Sequence, residues 1–439
     1  MVASPSKPSG SPIKPRSCVG WWMLPWGVSV WTAGFFVFGH YRNIAGLGEA
    51  ASCLLVLLAC GFLTGLGEWV RQGLPRPQRM PDGARLAFKL VGLAFTLGAL
   101  SFVYWLFPVY HQPYYKPYFG ALQGIAGLGT LLVVLAYIVY TDMCMDDPHD
   151  AYWHLGRAVI LNWGSADRAI LRTHLLGWMV KGFFLPLMFV QSLRGMNGLW
   201  TLLFQTASPT EYTQFHKLIF ELMMTAEVCV AAVGYIFALQ LFRSHIRSVE
   251  PSLLGWAVAV SCYAPFFDGV FKPYLDYHDA LVWDSWLAPW PEMRVVWGCA
   301  ILVLTTVYAA STFAFGIRFS NLTHRGIVTN GTYAWTKHPA YLSKNAFWWL
   351  VSVPFVAGGD PELALRHSLL LLGVNIVYAL RAYTEERHLS RDDDYVRYAL
   401  WMDRHSLFSF VGRLIPALSY ARLHKAAAAR VTSGGTDPG

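Results

Sequence analysis

Residues Ala50–Val70 read AASCLLVLLACGFLTGLGEWV, an almost wholly apolar run. A helix needs roughly 20 such residues to cross the hydrocarbon core of a bilayer. Similar runs recur along the chain near 18–38, 86–107, 119–141, 174–193, 218–242, 252–271, 294–316, 345–358 and 363–380. The 439 residues are 55% hydrophobic and only 14% charged, whereas soluble domains carry about 25% charged residues. The pattern predicts an all-α, polytopic membrane helix bundle of about ten spans. The ninth run is short and holds Pro354, so it is expected to dip in rather than cross. The first lacks a small-x-small cleavage site and reads as a retained span.

The net charge of +8 follows the loops. Lys7, Lys14 and Arg16 precede the first run. Arg71, Arg76, Arg79 and Arg85 lie between the second and third, and Arg157, Arg168 and Arg172 between the fourth and fifth. Arg243 and Arg247 follow the sixth. Arg318, Arg325, Lys337 and Lys344 separate the eighth from the ninth, and Arg381, Arg387, Arg391 and Arg397 follow the tenth. The alternate loops are poor in Lys and Arg. By the positive-inside rule both termini lie in the cytoplasm. Topology thus explains the basic balance, and no nucleic-acid partner is implied. The tails, about 1–17 and 425–439, are rich in small residues and Pro and are expected to be disordered. The rest divides into an N-terminal membrane bundle over 18–245 and a C-terminal membrane module over 246–424. The seven cysteines form no CxxC pair and read as small buried hydrophobes.

Three places could carry chemistry. The acidic loop Thr141–His154 has no metal-loop spacing and reads as a solvated turn, so no metal is expected. Lys181, Glu221, Glu227 and Asp268 fall inside apolar runs, where charge is costly and often functional; Lys181 could pair with a Glu of the sixth run. The third place is the richest. RFSNLTHRGIVTNGTYAWTKHPAYLSK (318–344) and RAYTEERHLSRDDDYVRY (381–398) flank a helical hairpin that brings them together on the cytoplasmic side. Gly331 permits a turn. Pro339 disfavours helix at His338 but suits the first turn of a new helix, whose free N–H groups favour an anion. Arg381 and Glu385, four apart, share a helix face, and Glu386 turns aside. The blander reading is an interfacial loop with a surface ion pair.

The pattern Gly-x-Tyr-x-Trp-x-(Arg/Lys)-His-Pro-x-Tyr, then a hairpin, then Arg-x-x-x-Glu-Glu-x-x-Leu and Tyr-x-x-Tyr, resembles the isoprenylcysteine carboxyl methyltransferases and the wider membrane phospholipid methyltransferases. The likeness covers roughly Val295 to Tyr398. It implies S-adenosylmethionine as methyl donor in a cytosol-facing pocket. By position Tyr333, His338, Pro339, Tyr341 and Glu385 would bind the cofactor, and Arg325, Gly326, Ile327 and Val328 would wrap it. Arg381 would face the acceptor's carboxylate, so that Arg381, Glu385 and His338 form the catalytic set. A carboxylate acceptor is already nucleophilic, which favours O-methylation of a lipid or lipidated acceptor. The chain departs from the pattern at Lys337, where Arg is usual, at Ser343, where Gly is usual, and in the short acidic run Asp392–Asp394. Two other classes remain open: an NADPH-dependent sterol or enone reductase, and a non-enzymatic membrane scaffold or transporter.

Overall fold

The computed structural model describes residues 14–204, 212–277, 281–416 and 419–432. The backbone is almost entirely helical, and the chain divides into two compact units. Six helices are long and apolar enough to cross a membrane, or seven if one bent pair counts as a span. The α-helical membrane class is therefore the one the sequence pattern predicts.

The first unit holds residues 22–249 and 316–325. Its helices are α1 (Met23–His40), α2 (Glu49–Gln72), α3 (Gly83–Leu106), α4 (Lys116–Ile125), α5 (Leu128–Cys144), α6 (Ala151–Ile160), α7 (Arg168–Phe204) and α8 (Tyr212–Ile236). Helices α4 and α5 meet at 83° across a break at Ala126–Gly127. Helix α3 is strongly apolar beyond its first turns, yet only 17% of its most apolar window is buried inside the protein. Phe95, Phe102 and Trp105 point outward, as expected of a lipid-facing helix. Helices α3 and α6 meet backbone to backbone. A Cβ at Gly156 would sit 1.8 Å from the Phe88 carbonyl oxygen, so only glycine allows this approach. Two short strands, β1 (Ser248–Val249) and β2 (Thr323–His324), pair antiparallel with Ser248 opposite His324.

The acidic loop serves this packing. Asp142 is fully buried and pairs with Arg85 at 2.5 Å and Lys89 at 2.9 Å. Asp150 caps α6 by accepting from the Trp153 N–H.

The second unit holds residues 1–21, 250–315 and 326–439. It contains α9 (Leu253–Val260), α10 (Lys272–Leu275), α11 (Trp283–Trp286), α12 (Pro291–Phe313), α13 (Pro339–Ser352) and α14 (Pro361–Leu389). Beyond these lie α15 (Asp393–His405), α16 (Ser409–Leu414), α17 (Tyr420–Leu423) and α18 (Lys425–Thr432). Helix α13 lies against both α12 and α14, and α9 lies against α14. Arg387 on α14 donates to the Ser252 hydroxyl at the start of α9, 2.6 Å away.

Three expected spans differ, the first being 119–141, which is broken into α4 and α5. The run 252–271 yields α9, only eight residues long, then a turn and a short π-helical stretch over Phe267–Phe271. The run 18–38 forms α1, which falls short of the six in apolar character. The run 345–358 yields α13, 14 residues that start at Pro339 and stop at a left-handed Val353 with φ 38°, too short to cross, as its length and Pro354 led one to expect.

The tails also differ from expectation where they are described. Thr329 donates through its hydroxyl to the Pro15 carbonyl (3.1 Å), Asn330 donates to the Val19 carbonyl (2.7 Å), and Cys18 N–H donates to the Ile327 carbonyl (2.8 Å). The segment 14–21 is therefore strapped to 327–330. At the other end Lys425–Thr432 is helical, and Arg430 pairs with Asp393 at 2.6 Å. Residues 1–13 and 433–439 lie outside the described residues.

Candidate functional site

The opening of α13 has a local cause. Gly331 sits at φ 58° and starts a 3-10 turn, Gly331–Ala334. Pro339 occupies the first helical position, with His338 as the residue capping it, as fixed-φ proline chemistry requires. The turn is anchored from α15: the Tyr398 hydroxyl donates to the Tyr333 carbonyl at 2.6 Å.

Helices α13 and α14 then bring the two motif blocks together. His338 Nε2 lies 2.8 Å from Glu386 Oε1, and Lys337 Nζ lies 2.8 Å from the same oxygen. His424 Nε2, at the end of α17, lies 3.5 Å from Glu386 Oε2. Glu386 is 6% exposed; a carboxylate so buried needs such partners. It is therefore the organiser of the cluster, and it orients the His338 ring.

Glu385 differs. The Tyr341 hydroxyl donates to its Oε2 at 2.5 Å. Among the described residues no cation pairs with Glu385, and it keeps partial exposure. Tyr341 also stacks on His338 with centroids 5.5 Å apart and 12° between planes. The Arg381 guanidinium lies over three tyrosine rings, at 5.2 Å from Tyr341, 5.6 Å from Tyr263 and 5.9 Å from Tyr378. Such placement stabilises a buried cation through the ring quadrupoles.

Behind this layer is a core of Ile327, Tyr395, Val396, Tyr398, Ala399, Met402 and Tyr420. Burial pushes the Tyr395 and Tyr333 phenols well above their ordinary values, with Glu385 adding to both. Burial also pushes Tyr420 up to about 12. These phenols stay protonated at neutral pH. They can donate hydrogen bonds or present ring faces, but they are not bases. The Tyr395 hydroxyl is buried with no hydrogen-bond partner, an unusual state for a native polar group.

Of the expected site residues, Tyr333, His338, Pro339, Tyr341, Arg381 and Glu385 lie in one unit, and His338, Tyr341, Arg381 and Glu385 touch as described. Ile327 and Val328 are buried, Ile327 in the core just named. Gly326 holds φ 113° at the point where the chain re-enters this unit.

Arg325 requires correction. It belongs to the first unit and is 2% exposed. Its Nε donates to the Ser244 carbonyl, its Nη1 to those of Gly234 and Phe319, and its Nη2 to those of Phe237 and Ile317. A guanidinium has five N–H donors, and all five are engaged, so none is left for a cofactor. Lys181 likewise forms no ion pair with a Glu of α8 among the described residues.

Sequence reasoning underrated Glu386 and missed His424 and Lys337 as partners of one carboxylate. The Glu-Glu doublet and the Lys at an Arg position were the available signals; His424 had none. Among the described residues no group of three or more His, Cys, Asp or Glu is placed to hold a metal ion. No family model, curated protein or solved structure matches the chain.

Proposed function

We propose that the protein is an integral membrane methyltransferase that uses S-adenosylmethionine and acts on a lipid or lipidated carboxylate at the cytoplasmic face. The observation that carries this reading is the asymmetry of the two glutamates. Glu386 pairs with Lys337 and is hydrogen-bonded to His338, while Glu385, one residue away, has only a phenol as partner. An unneutralised, partly buried carboxylate beside aromatic rings suits a ligand bearing an ammonium group. The orphaned Tyr395 hydroxyl offers a further donor for a ligand heteroatom. The donor set therefore fits this cofactor, and the motif resemblance points the same way.

In this reading Glu385 takes the ammonium. The start of α13, with the His338 ring fixed by Glu386, favours the cofactor's carboxylate. The bound cofactor supplies an electrophilic methyl group on a sulfonium. Arg381 holds the acceptor carboxylate, and Tyr341, touching both His338 and Arg381, sets the spacing between the two binding regions. An ionised acceptor needs no general base, so the contribution of these residues is alignment. The cytoplasmic placement follows from the loop charges.

Equilibrium binding in detergent tests the proposal. S-adenosylmethionine should bind at micromolar concentration, and Glu385→Ala and His338→Ala should abolish it. Transfer of labelled methyl into a total lipid and protein extract should then identify the acceptor. Binding of NADPH without S-adenosylmethionine would replace this reading with a reductase, and binding of neither would leave a scaffold.

A further inference from the structure

The first unit contains a cavity of about 1190 Å³, at or above the upper end of the ~300–1,000 Å³ typical of small-molecule sites. Its walls are largely aliphatic and aromatic, with Leu54, Leu58, Leu97, Leu122, Ile125 and Phe189 among them. One face of α7 forms a side of it: His174, Gly177, Trp178, Lys181, Leu185 and Phe189 all contribute, at the spacing of one helical stripe.

Two lysines line this space, and they are in opposite states. Lys89 is neutralised by Asp142 at 2.9 Å and by Asp150 at 3.3 Å. Lys181 has no carboxylate partner among the described residues; its ammonium sits over the Trp178 ring, 4.9 Å from the centroid. It is partly exposed rather than sealed off, and it lines the cavity. The residues around it are held in place. The Tyr104 hydroxyl donates to the Gly182 carbonyl at 2.9 Å, and His174 Nε2 is 2.9 Å from the Thr96 hydroxyl. A Cβ on Gly182 would lie 2.6 Å from Leu100. An unpaired cation within a membrane helix marks a functional site by default, and a large apolar cavity beside it defines what completes the pair.

We propose that this cavity binds an amphiphile with one long apolar chain and an anionic head group, and that Lys181 pairs with the head group. A fatty carboxylate and a lysophospholipid phosphate share this chemistry. The site belongs to the first unit alone and stands whether or not the glutamate cluster transfers methyl groups.

The test uses the full chain in nanodiscs of neutral phosphatidylcholine, titrated with tritiated oleate, oleoyl lysophosphatidate and oleyl alcohol. Both anions should bind saturably, at least about tenfold more tightly than the alcohol, the scale of one charge-assisted contact. The tighter of the two identifies the head group. Lys181→Met should remove the preference for anions and leave alcohol binding unchanged, while Lys181→Arg should retain the preference. Leu185→Trp, which narrows the cavity, should weaken all three ligands. Equal binding of anions and alcohol, unchanged anion affinity in Lys181→Met, or no saturable binding of any ligand would overturn the proposal.

Discussion

Arg325 separates a structural residue from a ligand-binding one. Replacing it with Met keeps a similar length but removes five hydrogen-bond donors from a site that is 2% exposed. The five carbonyls it serves belong to Gly234, Phe237, Ser244, Ile317 and Phe319, and that of Phe237 keeps two other donors, the Ser244 hydroxyl and the Leu239 N–H. Gly234 and Phe237 lie at the C-terminal end of α8, where carbonyls have no partner within the helix. Each buried acceptor left unmet costs about 1–3 kcal/mol. The four other than Phe237 together approach about 4–12 kcal/mol, comparable to the whole stability of a typical domain. Arg325→Met should therefore fail to give a monodisperse peak in size-exclusion chromatography of the solubilised full chain. Arg325→Lys keeps at most three donors, leaves one of the four acceptors unmet, and should survive with stability lowered by about 1–3 kcal/mol. The reasoning is refuted if Arg325→Met stays monodisperse, melts within a few degrees of the parent, and loses only S-adenosylmethionine binding. That result would return Arg325 to the cofactor.

Three further outcomes are expected. Glu386→Gln strands Lys337 and should cost about 3 kcal/mol, the low end for removing one partner of a buried pair, because the Lys337 side chain is 18% exposed; adding Lys337→Met should restore part of the loss in a denaturation-based double-mutant cycle. Tyr395→Phe removes a buried hydroxyl that has no partner, so the melting temperature should hold or rise while S-adenosylmethionine binding weakens severalfold; unchanged binding would remove Tyr395 from the site. His245 is lowered from 6.5 to about 4 by burial first, and by Arg247, Arg318 and Arg325. The unfolded chain then binds the extra proton between those values, so stability present above pH 6.5 should drain away as pH falls toward 4. His245→Gln should flatten that part of the stability–pH curve, and an unaltered slope would assign the acid sensitivity elsewhere.

How far the sequence could lead depended on the range of the physics. The start of α13 was legible because proline, glycine and the residue before proline act on their own backbone. The apolar runs were legible because a lipid-facing helix must be apolar whatever it packs against. The number of full spans was not, because an apolar run sets solubility in lipid but not helix length. Residues 252–271 break after Val260, and 119–141 bends by 83° between α4 and α5. Arg325 was misread for a related reason. A basic residue beside a motif looks like a ligand contact until the carbonyls of α8, some ninety positions earlier, converge on it. The glutamates show the limit most clearly. Spacing of four put Arg381 and Glu385 on one face of α14, which made Glu385 prominent and set Glu386 aside. But the residue next along a helix points about a quarter-turn away, and on that side lie Lys337 and His338. Helical periodicity can sort residues among faces; only the packing of α13 against α14 decides which face carries the neutralised acid. Because Glu386 takes that role, Glu385 is left as the acid without a cation, and the methyl-donor reading depends on that consequence of packing.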